Sequence, residues 1–522
     1  MESETRSPPP LEVIIVGAGF GGLCMAIKLR EAGIHDFVIL EKSVDVGGTW
    51  RDNHYPGAAC DVQSHLYSYS FHGKADWSQR YAPRAEIQQY ILDVTRGYDL
   101  RRSIRFGQEV VGARYDEAQC LWTIELRSGE KLVARHWVLA TGPLHVPAIP
   151  KLPGLSAFRG RVFHSAQWDH DYDLRGKNVV SIGTGGSAIQ YVPEVAREAA
   201  RLYVFQRSAA WILPRDERRY SEFRRKLFAA APFLRKLHRA RLYWSNESRV
   251  WPIFNPPVAR AAQKLLAQFI RLQVHDPVLR RKLTPDYTLG CKRVLISNAY
   301  LPTFNRPNVE LVTDRIAQIL PHGVVTEDGR ERPADCIILG TGFVVDPRIY
   351  MRGFALTGRQ GHTLAEDWRE APTAYLGIMV HGYPNMFQLV GPHSELGHNS
   401  IIFMIEAQVR YIVDSIVRLR SRGAGAVEVR RDVQEAFARE MSGQLAGTVW
   451  NTGCRSWYQT AEGINFAIWP MSTWRYWLRT RHVNERDCTW HEAVPRHVAR
   501  GAPSPDANGT GTSVLQAFGD NP

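Results

Sequence analysis

The feature that most constrains this chain is a glycine-rich turn that occurs twice, each time between a short apolar run and a helix-like segment. Gly17, Gly19 and Gly22 follow the run Leu11 to Val16; Gly183, Gly185, Gly186 and then Ser187 follow Asn178 to Ile182. A strand that turns through glycine into a helix gathers backbone N–H groups and the positive end of the helix dipole at one point, which suits a pyrophosphate. A lone GxGxxG is weak evidence. Here each turn is followed by a second strand-like run, Asp36 to Leu40 closing on Glu41 and Arg201 to Phe205 closing on Gln206-Arg207-Ser208. Strand, turn, helix, strand and a terminal polar residue together form a dinucleotide-binding unit. Two such units imply two bound cofactors and electron transfer between them.

The two units differ where they meet the ribose. Glu41 lies 24 positions beyond Gly17, and Arg207 lies 24 positions beyond Gly183, so the two occupy equivalent places. A carboxylate accepts from a free ribose 2′-hydroxyl, whereas a guanidinium pairs with a 2′-phosphate. The first site is therefore expected to take the adenosine of FAD, and the second NADP rather than NAD.

Between the units the chain reads WVLATG from Trp137 to Gly142, and later DCIILGTG from Asp335 to Gly342. Each is a strand entering a tight turn, and these are the places where the chain is expected to cross from one domain to the other and back. The resulting fold class is α/β, with two Rossmann-like dinucleotide-binding domains and a helical insertion. An FAD domain is expected over residues 11–145 and 339–498, and an NADP domain over 151–212 and 288–338. The insertion, 213–287, is rich in arginine and has helical apolar spacing such as Leu265, Phe269 and Leu272. That spacing predicts a packed stripe beneath a solvated basic face, with a membrane-surface element as the alternative. A further long helix is expected after Gly397-His398-Asn399-Ser400, with Ile405, Val409, Ile412 and Ile416 on one face and Asn399 or Ser400 as its cap. The polar, proline-rich leader 1–10 and the Gly/Pro/Ser/Asn tail 499–522 are expected to be disordered.

Composition narrows the function classes. With 522 residues, 44% hydrophobic and 22% charged, the chain has the make-up of a multidomain globular enzyme, and no apolar run reaches the ~20 residues of a membrane helix. Its seven cysteines are odd in number and contain no CxxC pair, which points to a reducing cytoplasm without structural zinc or any other metal. The formal charge of +13 could suggest nucleic acid, yet no nucleic-acid motif accompanies it. A solvated basic surface is the plainer reading.

Two further motifs carry a family resemblance. Phe158, Gly160, His164 and Trp168 form FxGxxxHxxxW in the linker before the second glycine turn. Gly47-Gly48-Thr49-Trp50 continues through Tyr55-Pro56-Gly57 to Asp61 as GGxWxxxx(F/Y)PGxxxD. Together they resemble the type I Baeyer-Villiger monooxygenases over nearly the whole chain, from about Leu11 to Tyr476. The resemblance implies NADPH reducing FAD, O2 adding to the reduced ring as a C4a-peroxyflavin, and insertion of one oxygen atom beside a ketone carbonyl to give an ester or lactone. It further implies that Gly48, Thr49, Trp50, Asp61 and Tyr67 line the flavin site. Lys292 would join Arg207 and Ser208 at the 2′-phosphate, and Arg293, held by Asp61, would supply a fixed positive charge to the reaction. In the FxGxxxHxxxW motif His164 reads as a structural or gating residue rather than an acid-base catalyst; Trp457, near the C-terminal end, reads as a residue able to close over substrate. Gly391-Pro392-His393-Ser394 departs from the family, which places Asn and Thr after Gly-Pro.

An N- or S-oxygenating flavin monooxygenase would share both nucleotide sites, but Trp168 and the Asp61 and Arg293 pair speak against it. A disulfide reductase would need the absent CxxC. A sensor that binds both cofactors without turnover would be expected to lose catalytic motifs, and these are kept.

Overall fold

The computed structural model describes residues 9–251 and 255–492. The expected disordered tail, the end of the expected FAD domain at 493–498 and all but Pro9 and Pro10 of the leader lie outside the described residues. Two parallel-rich sheets organise the chain. In the first, Leu11–Val16 lies between Phe37–Glu41 and Lys131–Leu139, all three parallel, with Val16 opposite both Leu40 and Leu139. Ile104–Phe106 extends one edge, while Val110–Asp116 and Leu121–Leu126 add an antiparallel meander beyond Lys131–Leu139. The second sheet is five parallel strands in the order Val309–Val312, Arg201–Phe205, Asn178–Ile182, Cys336–Leu339, Arg161–His164. Strands buried on both faces are near-continuous apolar runs, which is why VIIV and NVVSI read clearly as strands.

Registers bring the two glycine turns to equivalent places. Gly17 N–H donates to Leu40 O and Gly183 N–H to Phe205 O, at 2.8 and 3.0 Å. On the other side Ala140 N–H bonds Val16 O and Gly340 N–H bonds Ile182 O, at 2.9 and 2.8 Å. Each turn therefore sits at the carboxyl end of its sheet beside a crossing segment. The two crossings lie against each other, through the Pro147 to Phe343 bridge, Ala148 N–H to Gly342 O and Thr341 Oγ1 to Ala148 O.

The helix after the first turn, Phe20–Glu31, is buried almost all round, between its sheet and the long helix Ile401–Arg422. Ile405, Val409, Ile412 and Ile416 are buried on that helix as its spacing predicts. Ser400 occupies the N-cap position, but its hydroxyl donates to Leu66 O rather than capping, and Asn399 Oδ1 accepts from Ser400 N–H instead.

The insertion is helical, with Glu222–Ala230, Pro232–Glu247, Pro256–Gln273 and Pro277–Leu283. Proline begins three of these helices, where its missing N–H costs nothing. The expected packed stripe is a correction. Leu265 and Leu272 are 75% and 77% exposed; only Phe269 of the three is partly buried. Pro256–Gln273 carries two apolar stripes and docks by the other one, through Ala259, Leu266 and Ile270. At ~100° per residue, Ile270 is turned about 140° from Leu265, and periodicity alone does not say which stripe a neighbour covers.

Candidate active site

Both glycine turns open into one cavity of about 1640 Å³. That exceeds the ~300–1,000 Å³ of an ordinary ligand pocket and leaves room for more than one ligand. From the first half, Gly17, Gly19, Glu41, Gly48, Thr49 and Trp50 line it, with Asp61 and Tyr67. From the second half come Gly183, Gly185, Ser187, Arg207, Ser208, Lys292 and Arg293. Gly22 is set back from the wall. An added Cβ there would strike Gly17 O first and Ile15 Cγ2 at 3.3 Å, so the helix start packs directly on the turn and on the strand before it.

Gly17 and Gly183 adopt φ of +106° and +112°, and a Cβ on either would strike a crossing-segment carbonyl, Ala140 O at 2.6 Å or Gly340 O at 2.2 Å. Both turns therefore require glycine for conformation and for space. Glu41 is buried, its carboxylate accepting from Ala18 N–H at 2.8 Å and Ser43 N–H at 2.9 Å. These bonds hold it at the strand end facing the cavity.

The GGxW loop is fixed by two contacts. Trp50 Nε1 donates to Tyr67 OH at 3.1 Å, the rings meeting edge to face. Gln190, on the helix after the second turn, accepts from Tyr55 OH and Ala59 N–H and donates to Ala59 O. Sequence reading missed Gln190, because a glutamine on a helix carries no motif. It fastens the loop of one sheet to the helix of the other.

Asp61 at the end of that loop meets Arg293. Nε donates to Oδ2 at 3.1 Å and Nη2 donates to the same oxygen. Attraction to Asp61 outweighs burial and raises the Arg293 pKa, so the guanidinium is charged at every working pH. Glu395 and Tyr458 stand in its field; burial raises the pKa of both, against the pull of Arg293. Glu395 also lines the cavity and was missed, since a single Glu carries no sequence signal.

Lys292 donates to Ser208 Oγ at 3.2 Å and lies 4.5 Å over the Tyr287 ring. Burial, then the neighbouring Arg207, lowers its pKa. Two cations held together beside a hydroxyl make a site that an anion relieves, and a 2′-phosphate fits it. The cavity volume, the glycine cradles and this cationic corner all suit two dinucleotides.

Phe158, Gly160, His164 and Trp168 do not line the cavity. They form the edge of the second sheet. Gly160 lies under the Phe158 ring and against Asp335 O, where no Cβ fits, and Trp168 is buried against Phe163 and Tyr191. His164 Nδ1 accepts from Ala166 N–H, and its ring meets that of Phe343 beside the crossing. Burial lowers its pKa. The departure at Gly391-Pro392-His393-Ser394 is an ordered turn. Ser394 Oγ bonds Gly391 O at 2.6 Å, His393 Nδ1 lies 3.2 Å from Ile468 O, and Gly391 and Pro392 line the cavity.

The expected reducing cytoplasm gave no reason to look for a bridge, yet one is present. Cys291 and Cys454 form a disulfide across 163 positions, while Cys24, Cys60, Cys120, Cys336 and Cys488 are free and buried. Cysteine spacing gives no sign of a bridge this long. It ties the segment before Lys292 and Arg293 to the loop bearing Arg455, Ser456 and Trp457, all three on the cavity wall.

A family profile described as "Pyridine nucleotide-disulphide oxidoreductase" matches residues 14–222, the region of both glycine turns. A Baeyer-Villiger monooxygenase of Pseudomonas aeruginosa is 44% identical over 476 residues, 91% of this chain and 90% of its own length. One of Streptomyces coelicolor is 41% identical over 500 residues, 95% of this chain and 96% of its own. Among solved structures, cyclohexanone monooxygenase from Rhodococcus sp. Phi1 bound to NADP+ superposes with a TM-score of 0.85 at 28% identity, covering 93% of this chain and all of that one. A steroid monooxygenase bound to NADP superposes at 0.83 with 31% identity over the same shares. Identity of this extent over whole chains, on a cavity with two dinucleotide cradles, leads to one conclusion: the chain belongs to the Baeyer-Villiger monooxygenases, FAD- and NADPH-dependent enzymes that convert ketones to esters or lactones.

Proposed function

We propose that the cavity divides its work between the two glycine turns and the Asp61 and Arg293 pair. Gly17, Gly19 and Glu41 hold the adenosine diphosphate of FAD; Gly48, Thr49, Trp50 and Tyr67 bound the rest of the flavin. Gly183, Gly185 and Ser187 receive the NADPH pyrophosphate, and Arg207, Ser208 and Lys292 its 2′-phosphate. In domain terms, 11–145 with 339–498 serves FAD and 151–212 with 288–338 serves NADPH. Bound FAD, reduced by NADPH, supplies the activation of O2.

Everything else in the reaction rests on this chain's own groups. Arg293, kept charged and oriented by Asp61, stabilises negative charge as it builds on the reacting oxygens and on the ketone carbonyl, the place where a fixed charge in a dry site lowers the barrier most. Gln190 fastens the loop that ends in Asp61, and the Cys291–Cys454 bridge fastens the segment that bears Arg293. His164 and Trp168 act at a distance, by fixing the crossing segment between the sheets. The observation that carries this reading is the Asp61–Arg293 pair on the same cavity wall as both glycine turns.

The partner chemistry is a ketone with O2, and apolar wall residues such as Leu389, Ile402, Trp457 and Phe466 favour an apolar ketone. No helix among the described residues is long and apolar enough to cross a membrane. The five free, buried cysteines among the described residues support work in the cytoplasm, with the Cys291–Cys454 bridge as the exception. A panel of ketones, scored for NADPH consumption matched by ester formation, tests the reading; NADPH consumption without ester from any ketone would count against it.

A further inference from the structure

The positive charge of this chain is concentrated in one segment. Residues 213–287 hold seventeen Lys and Arg against six Asp and Glu, a net +11 of the chain's +13. The same segment carries ten of the sixteen large apolar side chains exposed among the described residues, Phe223, Phe233, Trp244, Trp251, Leu265 and Leu272 among them. Charge and exposed apolar surface thus occupy one insertion.

The apolar residues are spaced regularly. Leu237, Trp244, Trp251, Val258, Leu265 and Leu272 recur at intervals of seven. Seven residues are close to two helical turns, so Leu237 and Trp244 share a stripe of Pro232–Glu247, and Val258, Leu265 and Leu272 share one of Pro256–Gln273. Arg241, Arg249, Arg260, Lys264 and Arg271 flank these positions; all are exposed, and none forms an ion pair with a described residue. Trp244 and Trp251 also border a groove of about 590 Å³ with Met471 and Trp474. Exposed Trp and Leu rimmed by unpaired arginine is the make-up of a helix that lies in a lipid interface.

We propose that this insertion docks the enzyme on the surface of an anionic phospholipid bilayer. Leu237, Trp244, Leu265 and Leu272 enter the headgroup boundary, and the flanking Arg and Lys side chains meet lipid phosphates. A second copy of this chain is the poorer occupant, since it would set one +11 surface against another. Nucleic acid would leave the Trp and Leu side chains without a partner. Docking on a bilayer would hold the cavity near the phase in which apolar ketones accumulate.

The test is co-sedimentation of the holoenzyme with vesicles of phosphatidylcholine alone and of phosphatidylcholine mixed with phosphatidylglycerol. Binding to the anionic vesicles is expected to be tighter on the order of tenfold or more, and to weaken in high salt. Leu237→Ser/Trp244→Ser/Leu265→Ser/Leu272→Ser should lose vesicle binding while keeping bound flavin and parental turnover of a small soluble ketone. Arg260→Gln/Lys264→Gln/Arg271→Gln should bring anionic vesicles toward the neutral level. Equal binding to both vesicle types, undiminished binding by the serine variant, or self-association or DNA binding in place of vesicle binding would overturn the proposal.

Discussion

Arg293 and Asp61 stand 232 positions apart, and two nitrogens of the arginine, Nε and Nη2, donate to one oxygen of the aspartate, Oδ2. Two donors on one acceptor fix the plane of the guanidinium. The remaining nitrogen, Nη1, has no hydrogen-bond acceptor among the described residues. The pair also joins the two halves of the molecule: Asp61 ends the loop that follows the first dinucleotide unit, and Arg293 follows the second.

The cationic corner predicts coenzyme choice. If Arg207 and Lys292 hold the 2′-phosphate as proposed, replacing either by Ala should remove a charge-assisted contact, about 1.5–3 kcal/mol, or roughly ten- to hundredfold in NADPH affinity. NADH, which lacks that phosphate, should lose far less. Steady-state KM values for both coenzymes measure this, and equal losses would remove the corner from the coenzyme site.

The duplicated turn predicts two separable defects. Gly17→Ala drives a Cβ into Ala140 O, and the protein should purify without yellow flavin. Gly183→Ala drives one into Gly340 O, and that variant should remain yellow yet fail to bleach with NADPH. Absorbance spectra before and after NADPH read both outcomes. A Gly183→Ala enzyme that bleached normally would show that the second turn does not hold the coenzyme.

Much of the scaffold was legible because its strands are short apolar runs, two of which end directly in a glycine turn. Leu11–Val16, Asn178–Ile182 and Arg201–Phe205 fold where their sequence predicts. The site residues were legible where several elements had to agree, as in strand, turn, helix and terminal Glu41. Four features were not, Glu395 among them, since a single Glu carries no sequence signal. Leu265 and Leu272 belong to a helical stripe whose cover depends on a neighbour. The Cys291–Cys454 bridge depends on three-dimensional proximity across 163 positions. Gln190 acts through contacts to another sheet, which local pattern does not encode.

The disulfide predicts a coupled effect on stability and substrate. Reduction, or Cys454→Ser, releases the loop bearing Arg455 to Trp457 from the segment bearing Lys292 and Arg293. Loss of a bridge typically costs about 2–4 kcal/mol. The melting temperature should fall and the ketone KM rise, with flavin content unchanged, because the adenosine end of that site is remote. Thermal denaturation with and without reductant, paired with ketone kinetics, checks it. An unchanged ketone KM would separate the bridge from the cavity wall.

Buried histidines predict acid sensitivity. Burial is the largest cause that lowers His136 and His65 to about 3 and His238 and His393 to about 4, with nearby arginines adding to the effect at the first three. Each takes up a proton in the unfolded chain near its ordinary pKa of ~6.5 but stays neutral in the fold. The unfolded state therefore binds more protons below that pH, and stability is full above it. It then falls with acidification by up to about 1.4 kcal/mol per pH unit for each group, until the folded value is reached. His136→Leu should flatten this slope between pH 6 and 4, measured by urea unfolding, and an unchanged slope would rule His136 out as a contributor.

We propose that Arg293 supplies charge to the oxygenation and that Asp61 only orients it. Asp61→Ala should keep partial activity, about ten- to hundredfold below the parent. The most direct measurement is ester yield per NADPH consumed by Arg293→Ala loaded with FAD. Flavin content should match the parent, since Gly17 and Glu41 are untouched, and NADPH should still be oxidised. Ester formation should fall by roughly 10²- to 10³-fold or more. An Arg293→Ala enzyme that made ester at the parental rate would contradict the account.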